Sequence, residues 1–268
     1  MEKIGICQLC DNERELQLSH YIPNFVSRKI KKTSATGYMR DLSGFRKPDL
    51  RKNYLLCKDC EQILSVHETY FAKQFFHPLN DGLIANKVID YDESLLQFII
   101  SISWRLYQWD KIQMIKEMKQ IPQNILELTD NWKKFLLTGS DVDIGNHYLL
   151  YWDDNLINEM VYNYGDKAFY YLLKGSDGTI VTDDKSLFYV FCQIPRISII
   201  AAINPKIING FSQIKIEQKG SLPLKFELTD EIHLISFIKN RINLVKAVKL
   251  SEKEIKKIEM ILKKKPFK

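Results

Sequence analysis

The chain has 268 residues, of which 45% are hydrophobic and 27% charged, and a net charge of +6. That much apolar material supports real cores and excludes an intrinsically disordered tail. The opening MEKIGICQLC lacks a long apolar run and a small-residue cleavage site, and no later stretch approaches about 18 uninterrupted apolar residues, so a cytoplasmic protein without a membrane partner is expected.

In chain order, the first feature is the pair Cys7 and Cys10, matched by Cys57 and Cys60 across the 46 residues 11 to 56. Each CxxC places two thiolates on one side of a tetrahedral ion, and the ion then closes the long loop between the pairs. A redox motif or four unrelated cysteines would leave unexplained why four of the five cysteines fall into two matched pairs, so the spacing predicts one structural zinc. The fifth, Cys192, lies in an apolar run and reads as a small buried hydrophobe. Between the pairs, QLSHYIPNFV predicts a short strand near Leu16 to Leu18 and a proline-marked turn, followed by a polar loop over 33 to 49. Residues 28 to 52 carry Arg28, Lys29, Lys31, Lys32, Arg40, Arg46, Lys47, Arg51 and Lys52 against Asp41 and Asp49 alone, a density suited to a polyanion. A second basic cluster, ten basic residues against three acidic ones from Arg241 onward, reads equally as a solvated face.

EQILSVHETYFAKQFF has helical spacing, and it places Glu61, Ser65 and Glu68 on one face with His67 turned elsewhere. HPLNDG at 77 to 82 then supplies turn residues, which puts a first domain at 1–80 and a second at 81–268. The second opens with a helix from the candidate N-cap Asp92 through Trp109, and another from about Pro122 to Leu137, ahead of Thr138-Gly139. HYLLYW, KAFYYLL, TIVT, SLFYVFCQI, ISIIAAI, SQIKIEQ and LPLKFEL follow as short β-rich segments with gaps too short for repeated crossovers, which predicts a mostly antiparallel sheet. A helix over about 231 to 247 and a last one opened by a Ser251–Glu254 capping box, with Ile255, Ile258 and Leu262 as its stripe, complete an α+β chain.

CQLC, LSHYIP and KNYLLCKDCE together resemble the zinc-containing HNH endonucleases, whose treble-clef or ββα-metal module would occupy about residues 5 to 76. The resemblance implies a structural zinc on the four cysteines, His20 as general base, Asn53 as the residue that orients it, and Glu61 as a ligand of a catalytic Mg²⁺ or Mn²⁺. Glu68 and Ser19 are further candidate ligands, and Arg28, Lys29, Lys31, Lys32, Arg46, Lys47, Arg51 and Lys52 are candidate phosphate contacts. The chain departs from the common pattern by Ser19 where Asp or His precedes the base, by Glu61 where His follows the last cysteine, and by an Asn53 one residue closer to its cysteine. The expected function is metal-dependent hydrolysis of DNA, with RNA also open; the alternative is a zinc-stabilised module that binds nucleic acid without cutting it. The second domain would bind a protein partner or small ligand. A stand-alone nuclease of this size resembles components of phage or mobile-element defence.

Overall fold

The computed structural model describes residues 3–34, 37–84, 87–116, 121–182, 187–227 and 232–245, with 251–253, 255–256 and 259–260 near the C-terminus. The chain opens with β1 (Ile4–Ile6), β2 (Glu13–His20) and α1 (Asn24–Thr33), then a small hairpin of β3 (Met39–Arg40) and β4 (Arg46–Lys47), then β5 (Lys52–Cys57) and α2 (Lys58–Phe71). β1, β2 and β5 form an antiparallel sheet in the order β1-β2-β5. α1 occupies part of what the sequence read as turn and loop: Pro23 stands at its N-cap, ending the strand and presetting the helix, and Phe25, Val26 and Ile30 form its buried stripe. α2 continues through a π-helical turn at 72–76 into α3 (His77–Asp81), which stops at Gly82 in the left-handed conformation.

The rest of the chain runs β6 (Val88–Tyr91), α4 (Glu93–Lys116), α5 (Gln123–Thr138), β7 (Asn146–Tyr151), α6 (Asp154–Tyr164), α7 (Asp166–Phe169), β8 (Asp177–Thr182), β9 (Phe188–Ile194), β10 (Ile197–Asn204), β11 (Lys215–Ile216), β12 (Gly220–Pro223) and α8 (Ile232–Leu244). Five strands make an antiparallel sheet in the order β11-β7-β10-β9-β8, while β12 pairs with β6. The expected N-cap holds, since Asp92 accepts the Ser94 amide at 2.9 Å, and α5 ends at a left-handed Gly139. No helix among the described residues is long and apolar enough to cross a membrane.

Three expectations need correction. KAFYYLL is helical, forming α7 and a π turn at 170–174. Its aromatic content favours a strand, but Ala168, Tyr171 and Leu172 recur at i, i+3 and i+4 and bury together against the sheet, and packing overrides propensity. SQIKIEQ contributes only Lys215–Ile216 as strand, after a 3₁₀ turn at 212–214. LPLKFEL pairs through its first residues with β6 and so stands outside the large sheet. Of the expected last helix, Glu254, Ile258 and Leu262 lie outside the described residues.

α4 positions everything else. Its sequence SLLQFIISISWRLYQW is apolar nearly all round, the pattern of a helix buried on both sides. One side packs on α2, where Phe98 stacks on Phe71 with ring centroids 3.9 Å apart; the other lies on β8, β9 and β10. A single apolar cluster therefore runs from Cys7 and Leu9 through α4 to Leu222 and Leu224, and a second fills the far side of the large sheet beneath α6 and α8. Side chains alternate between the two along β9 and β10, with Val190, Cys192, Ile199 and Ala201 on the first side and Tyr189, Phe191, Ile200 and Ala202 on the second.

α4 can approach β8 this closely because residue 178 is glycine: a Cβ there would stand 2.4 Å from Leu106 Cδ2. Gly178→Ala is expected to cost about 1–3 kcal/mol of stability through overpacking, and Leu106→Ala in the same chain to lessen the additional cost. Urea midpoints of zinc-loaded protein measure both.

Candidate functional site

The four paired cysteines converge. Their sulfur atoms lie within 4.8 Å of one another, and Cys10 Sγ and Cys57 Sγ are 3.9 Å apart, close to the roughly 3.8 Å that two thiolates keep on a tetrahedral zinc with Zn–S near 2.3 Å. None is in a disulfide. The first pair sits in a turn closed by Asp11 N–H to Cys7 O and Cys7 N–H to Asn12 O, both 2.9 Å, with Asp11 in the left-handed region at φ 59°. The second pair straddles the junction of β5 and α2. A bulge in the β2–β5 pairing leaves Leu55 opposite no partner, and its carbonyl accepts the Gln8 amide at 3.0 Å; the Cys57 amide donates to Cys7 Sγ at 3.3 Å. Burial pushes the Cys7 and Cys60 thiols up. Burial acts the same way on Cys10, but hydrogen bonds from the Asn12 amide and the neighbouring thiols outweigh it and bring Cys10 down to about 7. Four thiolates this close need a cation between them, and an all-sulfur set suits zinc.

His20 is the last residue of β2. Its Nε2 lies 3.0 Å from Asp49 Oδ2, and the same carboxylate accepts Lys52 Nζ at 3.3 Å and the Leu50 amide at 2.9 Å. Burial alone would raise the Asp49 carboxyl, but the bonds from His20, Leu50 and Lys52 hold it at about 2. Asp49 is thus ionised and only accepts, so Nε2 is the donor and Nδ1 of a neutral ring keeps its lone pair. A carboxylate held below its ordinary 3.8 stabilises the fold above about pH 4, and that contribution fades as the pH falls toward 2.

The backbone of His20 is held from elsewhere. Arg105, on α4 and only 1% exposed, donates Nη1 to the His20 carbonyl at 3.0 Å and forms an ion pair with Glu68, Nη1 to Oε1 2.7 Å. The next residue, Tyr21, donates its amide to Arg51 O at 3.1 Å and meets Trp109 edge-on, with the Arg51 guanidinium 5.4 Å from the same indole ring.

The remaining candidates have other partners or surroundings. Ser19 is buried with its hydroxyl on Gln17 O at 3.4 Å, and it stands opposite Asn53 in the β2–β5 register. Asn53 turns its side-chain oxygen to the Tyr54 amide at 2.9 Å, so the ring partner of His20 is Asp49. Glu61, in the first turn of α2, has one carboxylate oxygen buried without a hydrogen-bond partner. Glu68 faces Arg105. His67 is half-buried, its Nδ1 unpartnered, and burial lowers its pKa against the opposing charges of Glu93 and Asp92. Of the basic residues, Lys29 pairs with Asp81, Lys31 donates to Pro48 O, Lys47 pairs with Asp41 and Lys52 with Asp49, while Arg46 lies over Tyr38; Arg28, Lys32, Arg46, Lys47, Arg51 and Lys52 are exposed.

Sequence reasoning missed Asp49 and Arg105. Each had a signal: Asp49 is one of two acids in a basic stretch, and Arg105 is the single charge in SLLQFIISISWRLYQW. An isolated charge in an otherwise uniform segment needs a partner. No protein-family model, curated protein or solved structure matches the chain.

The cluster geometry sets an expected metal content of one zinc per chain by elemental analysis. Cys57→Ser or Cys60→Ser should give metal-free, protease-sensitive protein. Zinc release should increase as pH falls, because protons compete for the thiolates.

Proposed function

We propose that residues 1–80 form a treble-clef, ββα-metal nuclease site, and that the chain hydrolyses phosphodiester bonds in DNA with a divalent metal ion. The observation that carries this reading is the His20–Asp49 pair at the end of the strand that the cysteine cluster joins to α2. A neutral imidazole whose Nε2–H is engaged by an ionised carboxylate keeps the Nδ1 lone pair as a base, which is what activation of water for attack on phosphorus requires.

Carboxylate and hydroxyl oxygens are the donor types that suit a hard cation. Glu61 offers a buried carboxylate oxygen that no protein group satisfies, and Ser19 offers a hydroxyl from the residue before the base. These two would hold Mg²⁺ or Mn²⁺, which when bound supplies charge stabilisation at the phosphate and the leaving oxygen. Glu68 acts in this reading as the counter-ion of Arg105. A closed four-cysteine zinc has no open position and acts only through the fold. Phosphate contact falls to Arg28, Lys32, Arg46, Lys47 and the neighbouring basic residues, which carry no sequence information.

Nicking of supercoiled plasmid tests the reading. His20→Ala should lower the rate by about 10²–10⁴-fold and Glu61→Ala by a similar factor, both with zinc and DNA affinity retained. Asp49→Asn should cost about 10–100-fold, because the amide still accepts from Nε2 but carries no charge. His67→Ala should leave the rate unchanged. Charge reversal at Arg28, Lys32 and Lys47 together should weaken binding and flatten its salt dependence. Protein that binds DNA yet leaves it uncut in Mg²⁺ and in Mn²⁺ would make the chain a zinc-stabilised binding module instead.

A further inference from the structure

Arg105 is a costly residue to bury. A guanidinium that is 1% exposed loses its hydration, and a hydrophobic side chain of similar volume would serve the packing of α4 as well or better. Each of its three nitrogens nevertheless has a partner. Nε donates to Ser101 O at 3.2 Å and Nη2 lies 3.3 Å from Ser101 Oγ, both one turn earlier on α4, and these bonds fix the plane of the guanidinium. Nη1 then reaches out of the helix to two groups on two other elements, donating to the His20 carbonyl on β2 and forming an ion pair with the Glu68 carboxylate on α2. β2–β5 pairing ends at His20 opposite Lys52, so this carbonyl lies where the ladder stops. Glu68 supplies the negative charge that makes the buried cation tolerable, and the fork supplies the direction.

From this arrangement we infer that Arg105 is a positioning residue: it fixes the backbone of His20 and so the direction of its ring, which makes the competence of the histidine depend on the docking of α4. The inference rests on the reading of His20 as the general base. His20 is then held at two points, its ring by Asp49 and its carbonyl by Arg105, a residue 85 positions further along the chain. The part of the chain after residue 80 completes the site.

The test pairs Arg105→Met with Glu68→Leu, so that no unpartnered charge is left buried. Zinc content and urea midpoint report whether the fold survives. Two readouts that packing alone would not move are the Nε2–H resonance of the His20 imidazole in ¹⁵N-resolved spectra and the division of the nicking defect between kcat and KM. The expected result is retained zinc and cooperative unfolding, a broadened or lost His20 resonance, a kcat about 10–100-fold lower, and a KM for plasmid within about twofold of wild type. Arg105→Lys should be intermediate, since an ammonium keeps the charge beside Glu68 without the fork. A folded double variant with an unchanged His20 resonance and rate would overturn the inference. If the double variant does not fold, the spectra of Arg105→Lys decide in the same way. If the wild type cuts nothing, the nuclease reading fails, and the resonance alone still decides whether Arg105 positions His20.

Discussion

α4 is buried on both faces, and that constraint governs the arrangement of the molecule. A helix that packs on α2 through Phe98 and on β8 through Leu106 cannot shift without opening a gap on one side or a clash on the other. Protein interiors are close-packed, so such a helix transmits position between its two neighbours. The polar contacts along it follow the same logic: Arg105 reaches toward β2 and α2, whereas Asp110 accepts the Ile180 amide of β8 at 2.7 Å. Burial raises the Asp110 carboxyl, and the amide bond opposes that shift.

Beside this spine the cysteine cluster has a more local task. A sheet of β1, β2 and β5, in which β1 has three residues, draws its stability from what packs against it. Four cysteines from the two ends of a long loop converge and bring β5 and the start of α2 against the turn between β1 and β2, and the Leu55 bulge gives the Gln8 amide a partner where regular pairing would not. The cluster thus fixes the near end of β2 and α4 fixes its far end. His20 lies at that far end, where the strand would otherwise fray.

What was legible in the sequence follows from how local each signal is. The CxxC pairs declare their chemistry through spacing, and Asp92, Pro122 and Gly139 mark helix ends through backbone rules that need no tertiary context. The antiparallel sheet was legible because its β-rich segments are separated by gaps too short for crossovers, as between β9 and β10. KAFYYLL was not, since its aromatic residues suit either structure and the partner that selects the helix is a sheet face built from distant residues. α1 was hidden by Pro23, which reads as a turn although it also begins helices. Of the candidate residues, Ser19, His20 and Glu61 are marked by their neighbours in sequence, whereas Asp49 and Arg105 contact His20 across 29 and 85 positions, a pairing that no local pattern encodes.

The charges around His20 divide by depth, and the division assigns their roles. Arg105 is neutralised by Glu68 in the interior, and Asp49 by Lys52 and the imidazole N–H at the edge, so these groups direct one another. Within the basic stretch, Lys29 is tied to Asp81 on α3, where like-sign repulsion from it adds to burial in lowering Lys174. Such tethered cations hold elements together and contribute less to a distant polyanion, because their fields are largely cancelled. The exposed cations on α1 and the β3–β4 hairpin face solvent, and in the proposed reading these are the ones that would release counterions condensed on a nucleic acid. Under the proposed function, affinity and positioning would be carried by different residues, and a substitution that weakens one need not disturb the other.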